Sequence, residues 1–265
     1  MTSILWFDLT TALIIGLVIG SFLNVCVHRI PRKENISTPP SHCPVCKQSL
    51  HWYYNIPILS WLWLRGRCAY CQTSIHWRYP LMELLGGLLG VMAIYRFGLT
   101  AEGWLILLFG LALLTLSAID MENQILPDMI TYPLLIIGLI CSGLPILGTP
   151  FPTFMDAVLG VIGGAGGLLL LIEVWYRFTG RVAMGLGDVK LVAVFGAWMG
   201  WQSLYFILFG SALMGALMGG SWLIIAGRDR QTRIPFGPFL ALMAWIYLFL
   251  NEAFRQAYLS WMVGS

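Results

Sequence analysis

Apolar stretches of about twenty residues recur along this chain and constrain its fold more than any other feature. Each is long enough to cross a lipid bilayer as a helix. The chain of 265 residues is 58% hydrophobic and only 10% charged, which is too apolar for a soluble domain of this length. The period-two alternation expected of membrane barrel strands is not evident. The sequence therefore predicts an all-α, polytopic membrane protein.

The apolar pattern predicts about eight transmembrane helices. Residues 1–27 carry neither the basic segment nor the small-residue cleavage site of a signal peptide, so we interpret them as the first membrane helix. Residues 28–80 form the one long polar break, and residues 81–265 contain the remaining spans. The eight predicted ranges are approximately 8–27, 81–97, 103–120, 128–147, 155–176, 188–200, 202–226 and 237–258.

The basic residues predict how the chain is oriented in the membrane. Thirteen of the fifteen lysines and arginines lie in residues 28–80, 177–190 and 228–233, and eight spans place these three regions on one face. The positive-inside rule makes that face cytoplasmic and puts both termini in the periplasm. The net charge of +3 is then explained by topology, and no nucleic-acid partner is expected.

The polar segment contains two C-x-x-C pairs. Cys43 and Cys46 are separated from Cys68 and Cys71 by twenty-one residues. Two such pairs can close four thiolates around a tetrahedral Zn²⁺, which would supply folding free energy to a loop with little apolar core. The predicted cytoplasmic side is reducing and disfavours disulfides. We predict a structural zinc site, with four free or redox-active cysteines as the alternative.

Two aspartates stand at the ends of predicted spans. Asp120 ends the third span and Asp188 begins the sixth, so the predicted topology places both at one depth on the cytoplasmic face. Ionised carboxylates at membrane depth cost roughly 2.5–3.5 kcal/mol, which makes them functional candidates. If the two are close, they share a proton: one can take a proton from water while the other donates to a carbonyl or a leaving amine.

The surroundings of Asp188 allow a second interpretation. In "GLGDVKL", Gly185 and Gly187 would let a substrate backbone approach the carboxylate closely. Asp188 could instead be an ordinary helix N-cap, with Lys190 as its ion-pair partner. The chain lacks the G-x-S-x-G, H-E-x-x-H and Walker A patterns of other hydrolases.

These residues stand within a series of motifs that resembles the bacterial prepilin peptidases, or type IV leader peptidases, which are membrane aspartic proteases of the GxGD type. The resemblance implies Asp120 and Asp188 as the catalytic dyad. We regard Glu122 as a secondary candidate. The resemblance does not imply Asp128, which we interpret as a cap of the fourth span. The motifs occur in the family's order: "GSFLNVCVHRIP" at 20–31, "CPVC", "NIPILSWLWLRGRC", "RYPLMELL" at 78–85, "DMENQILPD" at 120–128, "GLGDVKL" at 185–191 and "PFGPFL" at 235–240.

The resemblance also implies a substrate class and a location. The family cleaves prepilins and pseudopilins of type IV pili and type II secretion after a glycine, removing a short basic leader at the cytoplasmic face of the bacterial inner membrane. The tetracysteine loop is typical of members that also N-methylate the new N-terminus with S-adenosylmethionine. Two other hypotheses are a scaffold whose zinc loop docks a partner and a proton-coupled transporter with a carboxylate relay.

Overall fold

The structure is a computed structural model that describes residues 2–144, 147, 151–181, 184–219, 235–249, 257–258 and 260. Within these residues it contains helices and two isolated β-bridges but no β-strand, which confirms the predicted all-α class. The α-helices are α1 (Thr2–Arg29), α2 (Leu59–Trp63), α3 (Arg78–Phe97), α4 (Ala101–Asn123), α5 (Asp128–Gly143), α6 (Phe154–Gly160), α7 (Gly166–Thr179), α8 (Leu186–Met199), α9 (Trp201–Met214) and α10 (Gly237–Phe249).

Fewer helices in the described residues reach the length and hydropathy of a membrane span than the eight predicted. In the described part of the chain, five helical segments have the required length and hydropathy: Leu5–Arg29, Arg78–Phe97, Ala101–Asn123, Phe154–Thr179 and Trp201–Met218. The other three predicted ranges contain α5, α8 and α10, which have 16, 14 and 13 described residues and so fall below the length required of a span. A helix of 14 residues is only about 21 Å long. α8 ends at Met199, close to the predicted boundary at residue 200, because Gly200 follows it with φ +76°.

Two short π-helical turns adjoin the α-helices. Val161–Ala165 joins α6 to α7, and Gly215–Gly219 extends α9. A 3₁₀ turn, Trp52–Asn55, precedes α2. The basic cluster of residues 228–233 and Arg255, both used to predict the topology, lie outside the described residues, so the predicted sidedness stays a prediction.

The chain divides into two compact units, Met1–Ile119 and Asp120–Ser265, with the boundary inside α4. In the first unit, α1 and α3 pack along each other through glycines. A Cβ on Gly20 would lie 2.8 Å from the carbonyl oxygen of Met82, and one on Gly86 would lie 3.0 Å from the Cα of Gly20. Small residues therefore let the two backbones approach closely.

The second unit is built around α8. Val192, Phe195 and Trp198 are fully buried, and α5, α6 and the π turn Val161–Ala165 pack against this helix. The Trp198 Nε1–H donates to the carbonyl of Leu134 on α5 at 2.7 Å. Such packing on several sides leaves α8 little freedom to move, so it holds the residues at its N-terminus in place.

Candidate active site and metal centre

Asp120 lies in the last turn of α4 and is almost completely buried, with 6% of its surface exposed. Its Oδ2 accepts the backbone N–H of Gly237 at 2.9 Å. Gly237 is the first residue of α10, and the N–H groups of a first helical turn have no partner within their own helix. The carboxylate of Asp120 is therefore fixed by the N-terminus of a helix more than a hundred residues further along the chain.

Gly237 is a residue whose importance the sequence did not reveal. A Cβ at this position would lie 2.7 Å from Oδ2 of Asp120, a distance that real Cβ contacts do not show. Glycine therefore permits the N–H to reach the carboxylate. The sequence does show a glycine between two prolines at the start of an apolar run, in "PFGPFL". That pattern does not indicate that Gly237 contacts Asp120.

Asp188 is the third residue of α8 and is half-buried. Its carboxylate interacts with the backbone of Gly185 and with the negative charge of Asp120. Asp188 therefore lies within electrostatic reach of Asp120, from which it is sixty-eight residues away in sequence. A third carboxylate of interest, that of Glu122, is exposed and lies one residue before the end of α4.

The alternative interpretation of Asp188 as a helix cap is not what the structure shows. Gly185 occupies the N-cap position of α8 and Asp188 lies in the first turn. Lys190 pairs with Asp128 and not with Asp188, and its Nζ lies 5.3 Å from the ring centre of Tyr132. Asp128 is the first residue of α5, after an N-cap at Pro127, so our interpretation of Asp128 as the cap itself was off by one position.

The two glycines before Asp188 have different surroundings. A Cβ on Gly187 would lie 3.2 Å from the side chain of Leu126, which belongs to the segment between α4 and α5. A Cβ on Gly185 would lie 3.7 Å from Oδ2 of Asp188, an ordinary contact distance. Gly187 therefore allows close packing inside the protein, whereas Gly185 is exposed beside the carboxylate.

The two C-x-x-C pairs form two turns of the same geometry. In each, the residue after the second cysteine has a positive φ, 60° at Lys47 and 58° at Gln72. In each, its N–H donates to the carbonyl of the first cysteine, Cys43 or Cys68, at 2.9 and 3.1 Å. A β-bridge closes each turn, His42 with Ser49 and Arg67 with Ser74. The repeated geometry presents each pair of sulfurs on one side of its turn.

The four sulfurs meet in one cluster. The Sγ atoms of Cys43, Cys46, Cys68 and Cys71 all lie within 4.8 Å of one another, and those of Cys43 and Cys71 are 3.7 Å apart. Four sulfurs at about 2.3 Å from a tetrahedral zinc would be about 3.8 Å apart. The cluster can hold a metal ion.

Comparison with known proteins identifies the family of this chain. The chain matches the model of the type IV leader peptidase family over residues 106–220 and that of the bacterial peptidase A24 N-terminal domain over residues 14–97. It is 37% identical to the prepilin leader peptidase/N-methyltransferase of Xanthomonas campestris, over 92% of each chain. This chain belongs to the type IV leader peptidase family. No solved structure matches it significantly.

Other relatives of the same name agree in length as well as in sequence. The prepilin leader peptidase/N-methyltransferase of Aeromonas hydrophila is 38% identical over 96% of this chain and 95% of its own. That of Pseudomonas aeruginosa is 36% identical over 93% and 92%. In this member of the type IV leader peptidase family, the four clustered cysteines lie in the range that matches the N-terminal domain. Asp120 and Asp188 lie in the range that matches the leader peptidase family. Gly237 lies beyond both matched ranges.

Proposed function

We propose that this protein is an aspartic endopeptidase of the bacterial inner membrane that removes the basic leader of type IV prepilins and type II secretion pseudopilins after a glycine, and then N-methylates the new N-terminus. The observation that supports cleavage most directly is the proximity of Asp120 and Asp188, two carboxylates that interact electrostatically. The names of the relatives support both the substrate class and the methylation. Family membership favours an enzyme over a scaffold or a proton-coupled transporter.

The two carboxylates suffice for peptide hydrolysis. Two neighbouring carboxylates hold one proton between them because both cannot ionise cheaply. The ionised one takes a proton from water, whose oxygen attacks the scissile carbonyl carbon, while the protonated one donates to the carbonyl oxygen. The peptide C–N bond then breaks, and the leaving amine receives a proton from the dyad. The N–H of Gly237 keeps the carboxylate of Asp120 oriented throughout.

For the cysteine cluster we propose a structural zinc ion. The four sulfurs surround one position, the ligand set is the Cys₄ type that zinc prefers, and all four coordination positions are taken. Such a closed site leaves no position for a substrate, so the metal would stabilise residues 42–74 and not take part in cleavage. S-adenosylmethionine would be the methyl donor, as the methyltransferase name of the relatives suggests.

The location follows from the apolar helices and the charge distribution. Five helices suited to a bilayer in the described part of the chain and the family together support a multi-pass protein of the inner membrane. The positive-inside rule supports a cytoplasmic site and periplasmic termini. At that face, an acidic dyad also suits a substrate whose leader is basic.

The deciding experiment is cleavage of a purified prepilin by the wild type, Asp120→Asn and Asp188→Asn. We expect either substitution to lower kcat/KM by about 10²–10⁴-fold, because each removes a proton-transfer group. Asp128→Asn is the matched control: its carboxylate pairs with Lys190, and we expect cleavage within about twofold of wild type. Retained cleavage in either dyad variant would rule out the proposed mechanism.

A further inference from the structure

A large cavity lies within the first unit, among the C-terminal part of α1, the cysteine segment and the start of α3. Its volume is about 840 Å³, which is in the range of small-molecule sites. Peptide cleavage by the aspartates does not use it. The lining residues that matter here are Asn24, His28, Arg29, Tyr54, Trp61 and Glu83.

Asn24 leaves a polar atom in the cavity wall without a partner. The side chain is 4% exposed, and its Nδ2 donates to the carbonyls of Gly20 at 3.4 Å and Tyr79 at 3.2 Å. These two acceptors fix the orientation of the amide, because a flipped amide would turn its oxygen toward both carbonyls. The Oδ1 is buried without a hydrogen bond. Since native proteins rarely leave such an atom unsatisfied, a bound molecule with an N–H or O–H group would complete the site.

Glu83 adds a buried acid to the same wall. It is 8% exposed, and its Oε2 accepts the N–H of Ile58 at 2.7 Å. A buried carboxylate on a cavity wall favours a cationic ligand. Arg29, the buried cation of this wall, is occupied by the carbonyls of Asn35, Ile36 and Pro39 at 3.0, 3.1 and 2.7 Å. Its guanidinium therefore holds the loop that follows α1 and has little donor capacity left for an anionic ligand.

We propose that this cavity binds S-adenosylmethionine, the methyl donor of the N-methylation proposed above, on which this inference rests. The donor carries a sulfonium and an ammonium cation that suit Glu83. It also carries a carboxylate, for which Lys47 and His28 line the same cavity besides the occupied Arg29. It has amine and hydroxyl hydrogens that could satisfy Asn24, and a flat adenine that Tyr54 or Trp61 could stack against. In the transfer, the neutral N-terminal amine forms a bond to the methyl carbon, the carbon–sulfur bond breaks with its electron pair staying on sulfur, and the new ammonium loses a proton to water.

Binding can be measured without any prepilin. We would titrate S-adenosylmethionine, and separately S-adenosylhomocysteine, into the purified full-length chain in lipid nanodiscs by isothermal calorimetry. We expect wild-type binding at one site per chain. Asn24→Ala and Glu83→Gln should each weaken the affinity by about tenfold or more, since each removes a buried polar partner. The control Glu173→Gln makes the same chemical change on the exposed face of α7 and should bind as wild type does.

The Nδ2 of Asn24 also supports the packing of α1 against α3, so Asn24→Ala can lower the affinity by weakening the fold. A variant that fills the cavity tests the site without removing this contact. Ser74 is exposed and lines the cavity, so Ser74→Trp should fill the space from the surface and abolish binding. Wild-type affinity in Ser74→Trp and Glu83→Gln, or no binding by the wild type, would overturn the inference. If the wild type binds the donor here but cleaves no prepilin, the inference stands and the proposed peptidase function fails.

Discussion

The two units hold their polar groups in different ways. In the second unit, Asp120 and Asp188 lie at the ends of tightly packed helices. The backbone N–H of Gly237 donates to Asp120, and the backbone of Gly185 interacts with Asp188. In the first unit, Asn24 and Glu83 border an open cavity of about 840 Å³, part of whose wall consists of irregular turns closed by the cysteine cluster. The second unit is arranged like a preorganised catalytic centre, and the first like a site that a small ligand completes.

The difference predicts that the two units can be damaged separately. The aspartate site depends on helix packing and on one backbone N–H, whereas the cavity depends on the order of residues 42–74. Substitutions in one unit should therefore change one chemical step with much less effect on ligand binding in the other. Four tests of this comparison follow, from the largest expected effect to the smallest.

The largest effect is expected from Asp188→Asn. Cleavage of a prepilin should fall by about 10²–10⁴-fold because a proton-transfer group is lost. S-adenosylmethionine binding, measured by calorimetry on the same preparation, should stay within about twofold of wild type, since Asp188 belongs to the second unit. Loss of both prepilin cleavage and S-adenosylmethionine affinity in Asp188→Asn would show that the two units are not energetically separate.

The sequence was a good guide to the charged and metal-binding groups and a poor one to what surrounds them. A chain with so few charges makes Asp120 and Asp188 conspicuous, and the spacing of the cysteines alone predicts a cluster. The end of the sixth span, predicted at residue 200, agrees with the point where Gly200 ends α8, whereas its start was predicted two residues after Leu186. The contact of Gly237 with Asp120 and the unpartnered oxygen of Asn24 depend on long-range packing, which has no local pattern.

The second test removes the metal from the first unit. In Cys68→Ser we expect bound zinc, measured by elemental analysis of reduced protein, to fall from about one per chain to almost none, because structural zinc sites need all four ligands. The turns around Cys43 and Cys68 should then lose their order, since metal binding is coupled to folding. Limited trypsinolysis should cut at the exposed Arg65 and Arg67 faster than in the wild type.

Cys141→Ser is the control for this test, since that cysteine is buried in α5, away from the cluster in sequence. It should keep its zinc and its resistance to trypsin at Arg65. A wild-type sample that contains no metal when purified under reducing conditions would contradict the zinc proposal. Unchanged zinc content in Cys68→Ser would exclude the four-cysteine ligand set.

The third test adds one methyl group to the aspartate site. In Gly237→Ala the new Cβ would stand 2.7 Å from Oδ2 of Asp120, so the carboxylate must move. Misplacement of a catalytic group by about 1 Å can cost about 10²-fold, and we expect a loss of cleavage of up to that size. Gly163→Ala, a helical position with nothing within 4 Å of the new Cβ, should cleave normally. Full activity in Gly237→Ala would mean that this hydrogen bond does not position Asp120.

The smallest effect is expected at the ion pair between α5 and α8. Lys190 and Asp128 are about one-third and one-half exposed, at 31% and 55%, and a pair this accessible to solvent contributes about 0–1 kcal/mol. Asp128→Asn should therefore lower the free energy of unfolding by no more than that, and added salt should shrink the difference because it screens the wild-type pair. The cation–π contact of Lys190 with Tyr132 stays in place, so α8 should keep its position. A loss above about 2 kcal/mol in a thermal or denaturant unfolding series, or a parallel loss of cleavage, would show that this pair helps to position Asp188 and that the second unit is less rigid than its packing indicates.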